Sequence, residues 1–319
     1  MESFKADTTN SANDSALVSV VITTKNEAKN IRNCLESIKL QSWSNIEIIV
    51  VDNFSSDSTR DIAAEYTDNV YLRGPERSAQ RNFGMIQAAS GLYVIYVDAD
   101  MLLSPKLIEH CTKFALHNAC IALHVPELVL GKSYFSRVRR FERTFYDGTS
   151  IDGARFFLRQ SFIDVGGFDE KLFVKGSGED WDIDKSIRKL GVIGILPRFI
   201  NEAGEDNWAL ADFTFNHGVG HSTAYAGIYH NEAEFSLVDY LRKKYYYSAT
   251  FSAYQEKWGK SDPDIKRQFG FLYRYFGVFT EQGKWKRLLV RPDLVLGMYF
   301  LRVLVGFVYL VRKKNDLLA

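Results

Sequence analysis

Residues 93–105 read YVIYVDADMLLSP, and this stretch decides the fold that the sequence predicts. The run from Leu92 to Val97 is apolar, aromatic and β-branched, which is typical of a strand covered on both faces. The run leads directly into Asp98 and Asp100. Two carboxylates at the end of a buried strand are costly unless a cation or polar ligand shares them, so the pair indicates a site for a hard metal ion. The alternative is a solvated turn before a helix capped near Ser104.

Two earlier strands are predicted to end in acidic or polar residues as well. Residues 17–23 form an apolar strand, residues 30–40 show helical spacing, and residues 46–51 are continuously apolar. This alternation predicts a doubly wound, mostly parallel sheet, whose ligands bind beyond the carboxyl ends of the strands. The acidic residues expected there are Glu27, Asp52, Asp98 and Asp100. For Asp52, a turn or helix-cap role is the alternative.

A helix carrying two arginines in its first turns is predicted from about residue 78 to residue 89. Arg77 and Arg81 lie where the helix dipole already favours anions, so their placement does not serve helix stability. A functional role explains it better, with Arg81 holding a diphosphate through a bidentate contact. The alternative is a surface ion pair between Arg81 and Glu76. The first strand is not followed by G-x-G-x-x-G, which argues against a dinucleotide-dependent dehydrogenase.

Residues 17–190 resemble the family 2 glycosyltransferases of the GT-A fold. The matching blocks are TTKNE (23–27), VVDNFSSDST (50–59), GPERSAQRNFG (74–84), DAD (98–100), GGFDE (166–170) and GEDWD (178–182). The resemblance implies a nucleotide-diphosphate sugar donor, with UDP favoured as the nucleotide, and inversion at the anomeric carbon. It implies Mn or Mg at the D-x-D pair, with Asp100 as the principal ligand and Asp98 beside it. The residues expected to line the nucleotide are Thr23, Glu27, Asp52, Arg81, Asp98 and Ala99.

The second half of the matching region carries the expected catalytic base. In residues 176–191, Glu179 and Asp180 stand at a glycine-flanked helix start, where acidic residues are also common for dipole reasons. Sugar transfer requires a carboxylate that takes the proton from the acceptor hydroxyl. The resemblance places that base on Asp180, with Glu179 orienting it or binding the acceptor and Trp181 stacking on a sugar.

A histidine is expected to complete the metal shell. Residues 193–197 resemble the last core strand of the family, which a histidine usually follows closely, but here about thirty residues intervene. They contain His217, His221 and His230, and His230 fits the usual order best. A hydrogen-bonded histidine without metal remains the alternative for each of the three. The segment as a whole is alternatively a lid over the site.

The C-terminal part of the chain is basic and aromatic. From residue 235 onwards there are 16 Lys and Arg against 7 Asp and Glu, a net charge of +9 in a chain whose total is +1. Residues 237–251 mix basic and aromatic side chains, and residues 294–311 are nearly all apolar with Arg302 at the centre. This pattern favours an interfacial helix on an anionic membrane, over a helix packed in the core or a true span. No nucleic-acid motif accompanies it, so no nucleic-acid partner is expected.

The predicted organisation has three parts. Residues 1–16 form a disordered tail without the features of a signal or transit peptide. Residues 17–232 form the catalytic domain, with a nucleotide-sugar half (17–118) and an acceptor half (119–232), and residues 233–319 form the helical C-terminal region. Three cysteines, an odd number without zinc spacing, fit a reducing compartment. We therefore expect a cytoplasmic protein, peripheral or monotopic on the inner face of the membrane.

The function expected is metal-dependent, inverting transfer of one sugar, most plausibly a hexose. A lipid-linked or cell-surface glycan intermediate is the favoured acceptor, and a polyprenyl phosphate is the alternative. The chain lacks Q-x-x-R-W, the pattern of processive polysaccharide synthases. Nucleotidyl transfer onto a sugar phosphate would need a glycine-rich loop after the first strand, and residues 23–30 lack one. A glycan- or lipid-binding module on an inactive scaffold would have lost the carboxylates that are present here.

Overall fold

The computed structural model describes residues 16–174, 177–197, 227–232 and 235–318. In this part of the chain ten strands form one seven-stranded and one three-stranded sheet. The strands are β1 (Val18–Thr24), β2 (Ile46–Asp52), β3 (Val70–Leu72), β4 (Tyr93–Asp98), β5 (Met101–Leu103), β6 (Ala122–His124), β7 (Glu127–Leu130), β8 (Ala154–Leu158), β9 (Ile193–Ile195) and β10 (Ile228–Asn231). The predicted α/β fold with a mostly parallel sheet is confirmed.

The large sheet brings the polar strand ends together. Its order is β3-β2-β1-β4-β8-β6-β9, with parallel pairing from β3 to β4, antiparallel pairing of β8 to both neighbours, and parallel pairing of β6 to β9. Strand β1 is buried throughout, which accounts for its continuous apolar run. The register pairs Thr23 with Asp98 and Thr24 with Asp52. The carboxyl ends of β1, β2 and β4 therefore lie at one edge.

The small sheet, ordered β5-β10-β7, brings strand β10, from late in the chain, next to this edge. Strand β10 pairs antiparallel to β5, with His230 opposite Met101, and parallel to β7, with His230 opposite Val129. The backbone N–H of Asn231 also donates to the carbonyl oxygen of Asp100 at 3.0 Å. This pairing places a histidine from late in the chain beside the turn that carries the aspartate pair.

Helices cover both faces of the large sheet. They are α1 (Ile31–Lys39), α2 (Thr59–Ala64), α3 (Arg77–Asn82), α4 (Leu107–His117), α5 (Tyr134–Arg143), α6 (Arg159–Asp164), α7 (Glu179–Ile187), α8 (Leu237–Tyr247), α9 (Phe251–Trp258), α10 (Pro263–Phe269), α11 (Val278–Thr280), α12 (Lys286–Val290) and α13 (Pro292–Leu318). One face packs on α1 and α4, and the other packs on a π-helical turn (Phe83–Ala88), α6 and α7. A Cβ at Gly84 would lie 2.3 Å from Val21 Cγ1, so only glycine allows this close approach.

The start of the folded domain differs by one residue from the expectation. Ala16 was assigned to the disordered tail, but its side chain is buried and its carbonyl accepts a hydrogen bond from Trp43 Nε1 at 2.9 Å. Residue 16 therefore belongs to the domain. The rest of the predicted tail, residues 1–15, lies outside the described residues, as do the predicted lid residues 198–226 with His217 and His221.

The long helix α13 has two different faces. Met298 and Leu301 pack on Val138 and Phe141 of α5, whereas the side chains on its other face are exposed. The larger exposed ones are Leu296, Phe300, Val303, Phe307, Leu310 and Val311. By length and composition, Pro292–Arg312 is the one helix in the described part of the chain that is long and apolar enough to cross a membrane.

A buried ion pair fixes the middle of α13 to the domain. Arg302 is 6% exposed, and its Nη2 lies 3.0 Å from Glu142 Oε1 on α5 and 2.8 Å from the Tyr146 hydroxyl. Its Nη1 also donates to the carbonyl oxygen of Arg274. Arg302 therefore serves as an anchor between helices, which explains a charge at the centre of an apolar stretch.

Candidate functional site

A cleft of about 560 Å³ opens at the carboxyl ends of β1 and β4. It is lined by residues from the strand ends, from α3, from the start of α7 and from β10. Nine of the ten predicted site residues line it: Thr23, Glu27, Arg81, Asp98, Ala99, Asp100, Glu179, Asp180 and His230. The tenth, Asp52, does not.

Asp52 takes part in a local turn and does not reach the cleft. Its carboxylate is fully buried at the end of β2, where it accepts hydrogen bonds from the backbone N–H of Ser55 at 2.7 Å and from the Ser55 hydroxyl. The predicted contact between Asp52 and a nucleotide is therefore not supported, because these bonds occupy the carboxylate inside the protein. The neighbouring Asn53 lines the cleft instead.

Asp98 is held in its ionised form by arginines. Its Oδ1 lies 3.0 Å from Arg81 Nη2 and accepts a hydrogen bond from the Thr23 hydroxyl at 3.1 Å. Burial opposes ionisation of Asp98, but Arg81, Arg155 and Arg77 outweigh it, and its pKa lies below the ordinary value. Asp98 therefore presents a negatively charged carboxylate to the cleft.

Asp100 and His230 form the most plausible metal-binding pair. His230 Nε2 lies 3.2 Å from Asp100 Oδ2, and His230 Nδ1 lies 2.9 Å from Glu127 Oε1. A carboxylate on the far nitrogen is the arrangement that orients metal-binding histidines. Burial lowers the pKa of His230, but Asp100 and Glu127 outweigh that effect and raise it. Without a metal, the imidazole is thus held as a cation between two carboxylates.

These donors fit a metal ion that reaches the site together with its substrate. In the described residues, no cluster of three or more His, Cys, Asp or Glu side chains is arranged to hold a metal. Asp98 lies two residues before Asp100, but its Oδ1 already accepts a hydrogen bond from Arg81 Nη2. One carboxylate and one imidazole suit Mn or Mg when phosphate oxygens and water complete the shell.

Glu27 contributes a carboxyl group of a different character. It lies in the loop after β1, where its Oε2 accepts a hydrogen bond from Asn30 Nδ2 at 2.7 Å. Burial raises the pKa of Glu27, and the charges of Asp100, Asp98 and Asp57 add to the effect. This wall of the cleft is therefore strongly acidic and suited to a cation or to hydrogen-bond donors of a ligand.

Arg81 connects the two halves of the cleft. Its guanidinium is 2% exposed, stacks over the ring of Tyr96 at 4.2 Å, and lies 3.3 Å from Asp180 Oδ1 through Nη1. The same nitrogen is 3.4 Å from Glu179 Oε1. The alternative pairing with Glu76 is wrong, since Arg81 is buried among carboxylates that belong to other elements. One cation thus joins the strand-end acid Asp98 to the acids at the start of α7.

Glu179 and Asp180 occupy different environments at the start of α7. Asp180 is partly exposed, and its Oδ1 accepts a hydrogen bond from the Tyr96 hydroxyl at 2.9 Å. Glu179 is 2% exposed, and Arg77 Nε lies 2.6 Å from its Oε1. Burial and the charge of Asp180 raise the pKa of Glu179, and its Oε2 has no hydrogen-bond partner in the described structure. Asp180 is therefore the accessible carboxylate and Glu179 the supporting one.

Sequence reasoning missed several residues that shape the cleft. Glu127 on β7 orients His230 and pairs with Arg143 and with Arg155, whose Nη2 lies 3.2 Å away. Tyr96 lies within β4, where its apolar neighbours gave no indication of a polar role. Arg155 interrupts an otherwise apolar strand (GARFFLR), and that interruption could have indicated a charged residue at the cleft.

Comparisons with known proteins agree with this geometry. A family model described as glycosyl transferase family 2 matches residues 19–168. The chain is 33% identical over 112 residues to the uncharacterized glycosyltransferase YibD of Escherichia coli K12, covering 33% of this chain and 32% of that protein. It is 36% identical over 104 residues to the putative glycosyltransferase EpsH of Bacillus subtilis 168, covering 31% and 30%. Each alignment thus spans about a third of the relative's length.

Two solved structures share the fold. The mannosyltransferase PcManGT from Pyrobaculum calidifontis, in complex with GDP-Man and Mn2+, matches with a TM-score of 0.56 at 17% identity, over 94% of this chain and 86% of that one. TarS of S. aureus matches with a TM-score of 0.50 at 16% identity, over 94% and 55%. At these identities the likeness establishes a common fold, and the expected GT-A architecture is confirmed.

Proposed function

Because this chain belongs to glycosyl transferase family 2, we propose that it transfers one sugar, with inversion, from a nucleotide-diphosphate sugar to an acceptor hydroxyl. The observation that carries the proposal is the single cleft in which Asp98, Asp100 and His230 meet Asp180, joined through Arg81. Such a cleft unites a cationic and metal-binding region for a diphosphate with an accessible carboxylate for a hydroxyl. UDP is the favoured nucleotide and a hexose the favoured sugar.

The donor is held by the strand-end wall of the cleft. Thr23, Glu27, Asp98 and Ala99 surround the nucleotide and ribose, and Arg81 and Arg77 offer their guanidinium groups to the diphosphate. Arg77 is the first residue of α3 and Arg81 lies in its last turn, and both side chains line the cleft. In the absence of a ligand they are paired with Asp98, Asp180 and Glu179. Binding of a diphosphate exchanges these partners for phosphate oxygens.

Asp100 and His230 hold a divalent metal, Mn or Mg. When bound, the metal neutralises charge that develops on the departing nucleoside diphosphate. Glu127 keeps the imidazole oriented through the 2.9 Å contact with Nδ1. Glycosyltransferase neighbours of this fold support the choice, since PcManGT was solved with GDP-Man and Mn2+.

Asp180 acts as the base that takes the proton from the acceptor oxygen while this oxygen attacks the anomeric carbon. Tyr96 and Arg81 fix the position of its carboxylate from inside the protein. Glu179 keeps Arg77 and Arg81 in place and lies next to the acceptor. Because a single displacement occurs on the face opposite to the leaving group, the configuration inverts.

Enzyme activity is tested most simply by donor hydrolysis. The full chain is incubated with UDP-, GDP- and dTDP-sugars in the presence of Mn or Mg, and release of nucleoside diphosphate is measured. We expect one donor class to be hydrolysed slowly, with the activity removed by a chelator. If no nucleotide sugar is hydrolysed or bound with either metal, the proposal fails. Full activity of the chelated enzyme would refute the metal site alone.

The acceptor is a lipid-linked or surface glycan intermediate, and the enzyme works at the cytoplasmic face of a membrane. The exposed apolar face of α13 and the net charge of +9 after residue 235 support this location. Flotation with anionic liposomes tests it. Leu296 on α13 is 75% exposed, and Leu296→Asn should reduce the fraction of protein bound to liposomes severalfold. Leu40, directly after α1, is 62% exposed, and Leu40→Asn should leave that fraction unchanged. Equal flotation of both variants contradicts the proposed surface.

A further inference from the structure

A second cavity of about 750 Å³ lies next to the cleft and is enclosed by α5, α8, α13 and the π-helical turn Tyr273–Gly277. We call it the chamber. Its size falls within the range of pockets that bind small organic ligands, roughly 300 to 1,000 Å³. Trp181, Lys244 and Tyr247 line both the chamber and the cleft, so the two are continuous. Asp180 lines the cleft together with Trp181, so the chamber connects to the proposed catalytic base through the cleft.

Part of the chamber wall is cationic, and three of its cations, Arg139, Arg143 and Lys244, also line the cleft. Arg139, Arg143, Lys244, Arg274 and Arg302 contribute to its wall, against one carboxylate, Glu142. Glu142 is already paired with Arg139 and Arg302, and Arg143 is paired with Glu127. Within the described part of the chain, Lys244 and Arg274 form no ion pair with a carboxylate.

The surroundings of these two cations favour the binding of an anion. Lys244 Nζ lies over the rings of Tyr240 and Tyr247, at 5.1 and 5.7 Å from their centroids. Burial and the neighbouring Arg139 lower the pKa of Lys244 to about 7. Burial and Arg302 likewise lower the pKa of Arg274. An anion bound between the two cations would relieve both effects.

The opposite end of the chamber is apolar and opens onto the exposed face of α13. Phe251 and Phe269 form its inner wall, and Val303, Phe307 and Leu310 form its rim. The rim residues are 47%, 61% and 61% exposed, respectively. A hydrocarbon chain that leaves the chamber therefore continues along the same apolar surface that faces the proposed membrane.

We propose that the chamber binds the acceptor, and that this acceptor is a lipid whose headgroup carries a phosphate. The phosphate is held by Lys244 and Arg274, the hydrocarbon lies against Phe251 and α13, and the reacting oxygen extends past Trp181 towards Asp180. This inference rests on the proposed sugar transfer and names the class of acceptor. Charge complementarity selects a phosphate over a neutral headgroup, and the apolar rim selects a lipid over a soluble sugar phosphate.

Binding of short prenyl phosphates to the full chain tests the inference without any catalysis. Farnesyl phosphate, farnesol and n-butyl phosphate are each titrated into the protein by calorimetry, at concentrations at which the ligand does not form micelles. We expect farnesyl phosphate to bind at least tenfold more tightly than either of the others, since each methylene that enters the chamber strengthens binding roughly fourfold and a charge-assisted contact adds about tenfold or more. Equal affinity of farnesol and farnesyl phosphate overturns the proposal.

Two pairs of variants locate the site. Lys244→Gln and Arg274→Gln should each weaken farnesyl phosphate roughly tenfold or more, while Arg242→Gln, an exposed neighbour on α8 paired with Asp239, should bind as the wild type. Val303→Trp narrows the rim, so it should weaken farnesyl phosphate but not n-butyl phosphate. Leu296→Trp, elsewhere on α13, is its control. Wild-type affinity in Lys244→Gln or Val303→Trp places the ligand outside the chamber and overturns the proposal.

The test separates this inference from the transferase proposal. Donor hydrolysis without binding of farnesyl phosphate overturns the chamber as the acceptor site and leaves the sugar transfer standing. Binding of farnesyl phosphate by a protein that neither hydrolyses nor binds any nucleotide sugar overturns the acceptor role, because a lipid site without a donor is not an acceptor site.

Discussion

The two sides of the cleft are stabilised in different ways. The strand-end side rests on the parallel strands β1, β2 and β4, which are almost completely buried, and β2 and β4 end in Asp52 and Asp98. The helical side rests on ion pairs within apolar surroundings, above all that of Arg302 with Glu142. The first arrangement follows from local patterns of burial, whereas the second joins residues 160 positions apart. The strand-end side is thus held by packing, and the helical side depends on a few buried charges.

The largest expected effect separates chemistry from binding. Asp180→Asn removes the proposed base and should lower the rate of donor turnover by about 10²–10⁴-fold, while binding of the nucleoside diphosphate stays near that of the wild type. The rate is measured by nucleoside diphosphate release and the affinity by calorimetry. Asp164→Asn, at an exposed position on α6, serves as the control. Near wild-type turnover in Asp180→Asn would refute the assignment of the base.

A second substitution breaks the helical side while sparing the strand-end side. Arg302→Met leaves Glu142 buried without one of its partners and should cost roughly 3 kcal/mol in the free energy of unfolding, measured by urea denaturation. Adding Glu142→Leu should recover part of this loss, because both buried charges are then removed. Arg291→Met, whose exposed ion pair with Asp293 is worth little, is the matched control. An unchanged stability of Arg302→Met would contradict the anchoring role.

A buried ion cluster next to the large sheet makes the stability of the fold dependent on pH. His124 on β6 lies 2.8 Å from Asp152 Oδ2 and 2.8 Å from Asp184 Oδ1, and Arg188 also pairs with Asp184. Burial lowers the pKa of His124, but the two carboxylates outweigh it and raise the value to about 10 from 6.5. The protonated imidazole therefore stabilises the fold fully below pH 6.5.

As the pH rises from 6.5 to about 10, this contribution should be lost, because the unfolded chain releases the proton first. We expect the free energy of unfolding of the wild type to fall by on the order of 5 kcal/mol across that window, at about 1.4 kcal/mol for each pKa unit. His124→Gln should show a much flatter dependence over the same range. Parallel pH profiles of the two proteins would exclude His124 as the source.

The smallest effect concerns the metal ligand from late in the chain. His230→Gln should raise the Mn concentration needed for half-maximal donor hydrolysis by roughly 10–100-fold, since an imidazole ligand is replaced by a weaker donor. His117→Gln, at an exposed position in the last turn of α4, should leave this concentration unchanged. An unchanged Mn requirement in His230→Gln would assign the metal to other ligands.

The difference between the two sides also explains what the sequence could predict. Local periodicity and the family resemblance together predict the strands, Glu27 in the loop after β1, Asp98 at the end of β4 and the Glu179-Asp180 pair. Asp52 does not line the cleft, because Ser55, three residues later, donates hydrogen bonds to its carboxylate. Local cap chemistry in SSDST already offered that alternative.

Contacts between residues far apart in the chain could not be predicted from the sequence. The approach of Glu127 to His230 depends on pairing between β7 and β10, and the partner of Arg302 lies on a helix far earlier in the chain. Neither pairing leaves a periodic pattern at either residue. The arginine at the centre of the apolar run therefore counted against a spanning helix, and the sequence did not reveal that it pairs with a buried carboxylate.

The central claim is that Asp100 and His230 bind a divalent metal at the donor diphosphate. Crystals grown with Mn and the nucleoside diphosphate selected by the hydrolysis screen test it directly through anomalous diffraction. We expect one Mn peak in contact with Asp100, His230 and the diphosphate. A bound nucleotide in this cleft without Mn at these two side chains, or with Mn held elsewhere, would contradict the account.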